Sequence, residues 1–246
     1  MSEKQNSASR LADALNQALA QPENITSADV WLKVFKKTEV KNHHEKFFFA
    51  SNRVSLLFLE LNNIREYLKG NGFSINTYEP SLERIENAIS PSVLNVGWAA
   101  VNHNLSPEVL TSLNFCKDLM PDEEMGISEE DLQSLAEDID SLESHLENSG
   151  LPAHLRSIIK RYIDSVWEAL DEYPITGAKS FKSANKKIIG ELIEAEREIK
   201  ESADEPALKK FGSLFKRVND MADTVIKADK LMRIGHTVVD YVAKIL

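Results

Sequence analysis

Between Pro121 and Gly150 the chain carries eleven Asp and Glu side chains and neither Lys nor Arg. Carboxylates at that density either solvate the outer face of a helix or dock a basic partner by long-range attraction. The 246-residue sequence holds 39 acidic and 29 basic residues, for a formal charge of −10. Outside the acidic stretch 28 acids face 29 bases, so these thirty residues account for the whole imbalance. Glu137, Asp138, Glu143 and Glu147 lie off the apolar positions of a helical pattern there. They form the predicted interaction surface; the plainer reading is a solvated face with Leu and Ile turned inward.

Other residue types with chemical potential are dispersed. His43, His44 and Glu45 are adjacent, and neighbours on a helix point about 100° apart, so they do not converge on a metal. No second His lies four residues away to complete a ligand pair. Cys116 is the only cysteine, which rules out an intramolecular disulfide and a cysteine-based zinc site. It sits beside Leu113, Phe115 and Leu119 with no activating base in the pattern, and reads as a core residue. Arg53, next to Asn52, interrupts a strongly apolar run. If buried it needs an acid, with Glu86 as a candidate; if not, its head snorkels to water. A pocket lined by Arg53, Asn95 and Asn102 is the functional reading of this run. No Gly-rich phosphate loop, His-Glu-x-x-His or Gly-x-Ser-x-Gly occurs, so no catalytic residue, metal or cofactor is assigned.

The elements that must position these residues are helices. Nine Gly and eight Pro act as punctuation between long periodic runs. Leu11, Ala14, Leu15, Ala18 and Leu19 predict a first short helix, and Ser27 caps a second that carries Val30, Trp31, Val34 and Phe35. From His43 to Lys69, Phe47, Ala50, Val54, Leu57, Leu61, Ile64 and Leu68 alternate steps of three and four, the seam of a lengthwise-packed helix. Phe48, Phe58 and Leu59 widen it, predicting neighbours on more than one side. Helix is expected to resume at Ser81, after a loop that includes Pro80. The uncharged run Asn87–Pro107 is broken by Pro91 and Gly97 and rich in Asn. It is read as a buried central helix rather than a membrane span. Ser106-Pro107-Glu108 starts the next helix.

Ser128, with Asp131 three residues on, starts the acidic helix. Its seam is Leu132, Leu135, Ile139, Leu142 and Leu146. After Gly150 and Pro152, the matching seam Leu155, Ile159, Tyr162, Val166, Ala169 and Tyr173 predicts an antiparallel hairpin, with Ile139 packed against Tyr162 or its neighbours. One further helix runs to Ser202. The last, Val218–Leu246, has a wide apolar stripe and a polar face of mixed sign. The predicted fold is all-α. Residues 1–21 form a helix or flexible segment, 22–120 an N-terminal helical cluster, and 121–127 an acidic connector. Residues 128–246 form a C-terminal bundle that contains the hairpin and the terminal helix.

Three stretches carry a resemblance: Trp31-Leu32-Lys33-Val34-Phe35; Leu105-Ser106-Pro107-Glu108-Val109-Leu110 through Phe115-Cys116; and Leu151-Pro152-Ala153-His154-Leu155-Arg156 through Tyr173-Pro174-Ile175-Thr176-Gly177. Over residues 24–192 the chain resembles a diffuse group of bacterial all-helical proteins with no established activity, so no site is carried over. The resemblance implies a place in bacterial defence or mobile-element biology.

The expected function is a non-enzymatic protein-interaction module with a protein partner, basic in character, or a second copy of the chain. The alternatives are a divergent helical nuclease or other effector enzyme, and an effector that acts at a membrane through its C-terminal helix. Net negative charge argues against direct nucleic-acid binding. The polar run Met1–Arg10 lacks the apolar centre of a secretory leader, and a cytoplasmic location is expected.

Overall fold

A computed structural model describes residues 4–37 and 39–223, and helices dominate them: ten α-helices, α1 to α10, and three single-turn 3-10 segments. β-structure among the described residues amounts to two two-residue strands, β1 (Lys4–Gln5) and β2 (Glu124–Met125), and one bridge between Thr26 and Gly97. The fold is the all-α multi-helix bundle that the periodicity predicts. The predicted terminal helix lies outside the described residues beyond Asp223. Two compact units divide the described residues: residues 5–122 together with 174–176, and Lys4 together with residues 123–173 and 177–223.

In the first unit, α1 (Ser7–Leu19) is held at its start by a reciprocal cap. Asn6 accepts from the Ser9 N–H, and the Ser9 hydroxyl accepts from the Asn6 N–H. The Asn6 amide also donates to the carbonyls of Lys117 and Met120 at 3.0 and 3.3 Å, tying this turn to the end of α5 (Pro107–Leu119). Helix α2 (Ser27–Val34) is capped by Thr26, one residue before the predicted cap. Helix α3 (His43–Gly70) buries Ala50, Val54, Leu57, Leu61, Ile64 and Leu68 of the predicted seam, and Phe47, its first residue, is half-buried against the same core. Its other expected contacts are absent: Phe48 is 78% and Leu59 55% exposed, and Phe58 is exposed too. Those residues fall on the side of α3 away from its seam, so the apolar widening is surface. Helix α4 begins at Ile75, earlier than expected, and runs to Ala88 through Pro80, forgoing one backbone hydrogen bond.

The uncharged run is not the expected buried helix. It forms three 3-10 turns, Pro91–Val93, Trp98–Ala100 and Asn102–Asn104. Pro91 and Gly97 interrupt it, and its backbone finds better partners on α2. The first N–H groups of a helix have no acceptor within it. Here Ser27 N–H donates to Val96 O at 2.9 Å and Ala28 N–H to Leu94 O at 3.0 Å. Trp98 is fully buried and meets Trp31 edge-on, with centroids 6.1 Å apart.

The second unit contains α6 (Glu129–Glu147), α7 (Ala153–Thr176), α8 (Lys179–Glu194), α9 (Glu196–Glu201) and α10 (Pro206–Ala222). The single helix expected up to Ser202 is thus broken at Ala195 into α8 and α9. Ser128 caps α6 as predicted, accepting from the Asp131 N–H at 3.1 Å and donating to its carboxylate at 2.6 Å. Leu135, Ile139, Leu142 and Leu146 are buried on its inner face. The backbone that comes closest to α6 is that of α10, and α10 in turn lies against α8. The rings beside Tyr162 are Phe211 and Phe215, at 5.4 and 5.8 Å, and its hydroxyl donates to Asn185 Oδ1 at 2.7 Å. The expected two-helix seam is therefore shared with α8 and α10.

The connector contains a buried acid. Glu124 has no exposed surface, and its carboxylate accepts from the Ala178 N–H at 2.6 Å, just ahead of α8. Gly177 beside it has φ +62°, and a Cβ there would fall on that carboxylate. Gly177→Ala combines left-handed strain with displacement of a buried hydrogen-bonded acid. It should lower stability by about 2–3 kcal/mol, read as a shift in the urea midpoint. If the midpoint does not move, the carboxylate is not held as described.

Candidate functional site

Near the connection between α6 and α7 a surface groove of about 350 Å³ opens between the two helices. Leu146 and Ile163, both buried, supply apolar side chains at its base. Glu143 and Glu147 of α6 line it, as do Arg156 and Lys160 of α7. Each pair is spaced by four residues, which puts both of its side chains on one helix face. All four are exposed. None forms an ion pair or a side-chain hydrogen bond with another described residue. The groove thus has an acidic wall and a basic wall, with no ion pair between them, over an apolar base.

Elsewhere exposed charges on this unit do find partners. Arg217 of α10 binds the Asp138 carboxylate and also donates to Ser134 Oγ and Asp131 O. Arg161 pairs with Glu191, and His154 Nδ1 lies 3.0 Å from Glu198. Lys179 pairs with Glu123 at 2.6 Å, setting one base of α8 against the acidic stretch, whereas Lys187 pairs with Glu168 at 2.9 Å.

The four predicted surface residues therefore divide. Glu143 and Glu147 line the groove, Asp138 is engaged by Arg217, and Glu137 is exposed outside the groove lining. Opposing bases on α7 and α10 give this region mixed charge, although the acidic stretch itself contains no base. Sequence reading overlooked Arg156 and Lys160, whose four-residue spacing just after the turn at Gly150–Pro152 was the available signal.

The predicted pocket residues occupy three different environments. Arg53 is 5% exposed, which excludes snorkelling, and its guanidinium lies 4.8 Å from the Phe49 ring centroid. Its candidate partner Glu86 instead binds Arg65 at 2.9 Å, and Arg65 also binds Glu79 at 2.8 Å. Asn95 is exposed, and the Asn102 amide donates to Glu23 at 3.2 Å.

A buried ion pair that the sequence reading passed over lies in the first unit. Arg10 binds Glu60 at 2.5 Å with both side chains almost wholly enclosed, and its Nε donates to Ile175 O at 2.9 Å. The Asn63 amide donates to the same Glu60 carboxylate at 3.2 Å. Cys116 is buried, and burial pushes its thiol up to about 11, so it is protonated at neutral pH. Among the described residues no three His, Cys, Asp or Glu side chains are grouped to hold a metal ion. Nor is any described helix long and apolar enough to cross a membrane. Compared with known proteins, the chain matches no family model, no curated protein sequence and no solved structure.

Proposed function

We propose that this chain is a protein-interaction module whose α6–α7 groove receives a segment of a partner protein. The observation that carries this reading is the set of four uncommitted charges, two of each sign on facing walls, above Leu146 and Ile163. Exposed ion pairs contribute only ~0.2–1 kcal/mol each, so affinity comes from apolar burial at the base of the groove. The walls add orientation and speed of encounter: a segment with bases along one edge and acids along the other fits in one direction only.

The test replaces Glu143, Glu147, Arg156 and Lys160 together with Gln and compares captured proteins with those of the unaltered chain, from an extract of the source cells. Helix content should be unchanged, because Leu135–Leu146 still fill the inner face. The expected result is selective loss of one or a few proteins from the captured set. An identical set with both chains would show that the groove is not the binding surface.

A further inference from the structure

The outer face of α3 carries a second periodic stripe. Phe48, Asn52, Ser55, Leu59, Asn62 and Glu66 alternate steps of four and three, which keeps them within about 40° of one line on the helix. Phe48 and Leu59 are the most exposed large apolar side chains of α3. Asn52 is exposed, and its amide has no hydrogen-bond partner among the described residues. The Ser55 hydroxyl donates to Ser51 O at 2.7 Å, and its oxygen remains able to accept. Glu66 ends the stripe, and Lys41 stands just ahead of the helix at the other end. Both are exposed, and neither side chain has a partner among the described residues. These groups are placed symmetrically. Phe48 and Leu59 lie equally far from the midpoint between residues 53 and 54, as do Asn52 and Ser55, and Lys41 and Glu66.

We infer that this face pairs with the same face of a second copy of the chain, α3 against α3, antiparallel about a two-fold axis. Each Phe48 then packs on Leu59 of the other copy, each Asn52 amide donates to Ser55 Oγ, and each Lys41 faces Glu66. A two-fold contact requires a surface that complements itself, and the reversed order of these groups supplies that. Parallel pairing would set Lys41 on Lys41 and Glu66 on Glu66, so charge selects the antiparallel arrangement. Only two large apolar side chains per copy lie on the stripe, so the dimer exchanges with monomer rather than persisting. No residue of the α6–α7 groove takes part.

Sedimentation velocity on the full chain tests this. With rising concentration the unaltered protein should pass from monomer to dimer and no further, because a two-fold contact closes. Phe48→Ser/Leu59→Ser should weaken the dimer at least about tenfold with helix content unchanged, since both side chains are exposed. Lys41→Glu sets like charges at both ends of the contact, as does Glu66→Lys, and each should weaken it about three- to tenfold at low salt. Mixed in equal amounts, these two variants meet with opposite charges at both ends and should dimerise as the unaltered chain does. An unaltered chain that stays monomeric, or a mixture no tighter than its components, would overturn the inference. So would loss of a captured cellular protein on Phe48→Ser/Leu59→Ser without any dimer in the unaltered chain, which would assign the face to a different partner. The variant with Gln at Glu143, Glu147, Arg156 and Lys160 should dimerise normally; a dimer lost in that variant alone would place the contact in the groove instead.

Discussion

Ile139→Asp should leave the chain largely unfolded at temperatures where the unaltered protein is intact. Ile139 is fully buried at the middle of the inner face of α6. A carboxylate placed there either stays charged without a partner or takes up a proton, and both cost free energy. Lost burial of the isoleucine adds to this, for an expected destabilisation above about 4 kcal/mol. Thermal melting followed by circular dichroism reads the effect. An unchanged melting temperature would mean that this face of α6 is not packed as described. Ile139→Leu is the control and should cost under about 1.5 kcal/mol.

Glu60→Ala should cost about 3–5 kcal/mol, because it removes the carboxylate that balances the Arg10 charge in a site closed to water. The converse, Arg10→Ala, strands Glu60 and should have a similar effect. Replacing both with apolar residues of comparable size, Arg10→Met with Glu60→Leu, removes both desolvation penalties and should recover most of the loss. Urea denaturation of the three variants checks this. A double variant as unstable as the singles would mean that the bond from Arg10 to Ile175 O, rather than the charge pair, dominates.

Helix starts were legible where a short polar side chain meets its own backbone nearby. Ser128 needed no information from the rest of the chain, the start of α5 is set by the fixed φ of Pro107 rather than by a bond from the Ser106 hydroxyl, and the seam of α3 is a property of spacing alone. What escaped depended on partners distant in sequence. Residues 91–105 have enough apolar side chains for a helix, yet the open N–H groups at the start of α2 draw their carbonyls away. Glu60 lies between Leu57 and Leu61 on the seam of α3, a position that demands a cation. That cation stands fifty residues earlier, in a segment that looks merely polar. Glu124 escaped for the same reason, since only the turn at Gly177 gives its carboxylate a place inside the fold. In the groove, the acidic wall was legible as charge, whereas the four-residue spacing of Arg156 and Lys160 becomes an opposing wall only once α6 and α7 are set side by side.

The first unit is discontinuous in the chain, and order of synthesis therefore bears on it. Ile175 is fully buried in its core, and Ile175 O accepts from Arg10. A ribosome that adds about 5–20 residues per second completes residue 122 several seconds before it reaches 174. Until that moment the nascent N-terminal helices have a gap at the Ile175 site, and Arg10 lacks one acceptor. A fragment that stops at Asp122 has the same defect permanently. The last turn of α7 is the final piece of a unit whose other residues left the ribosome first.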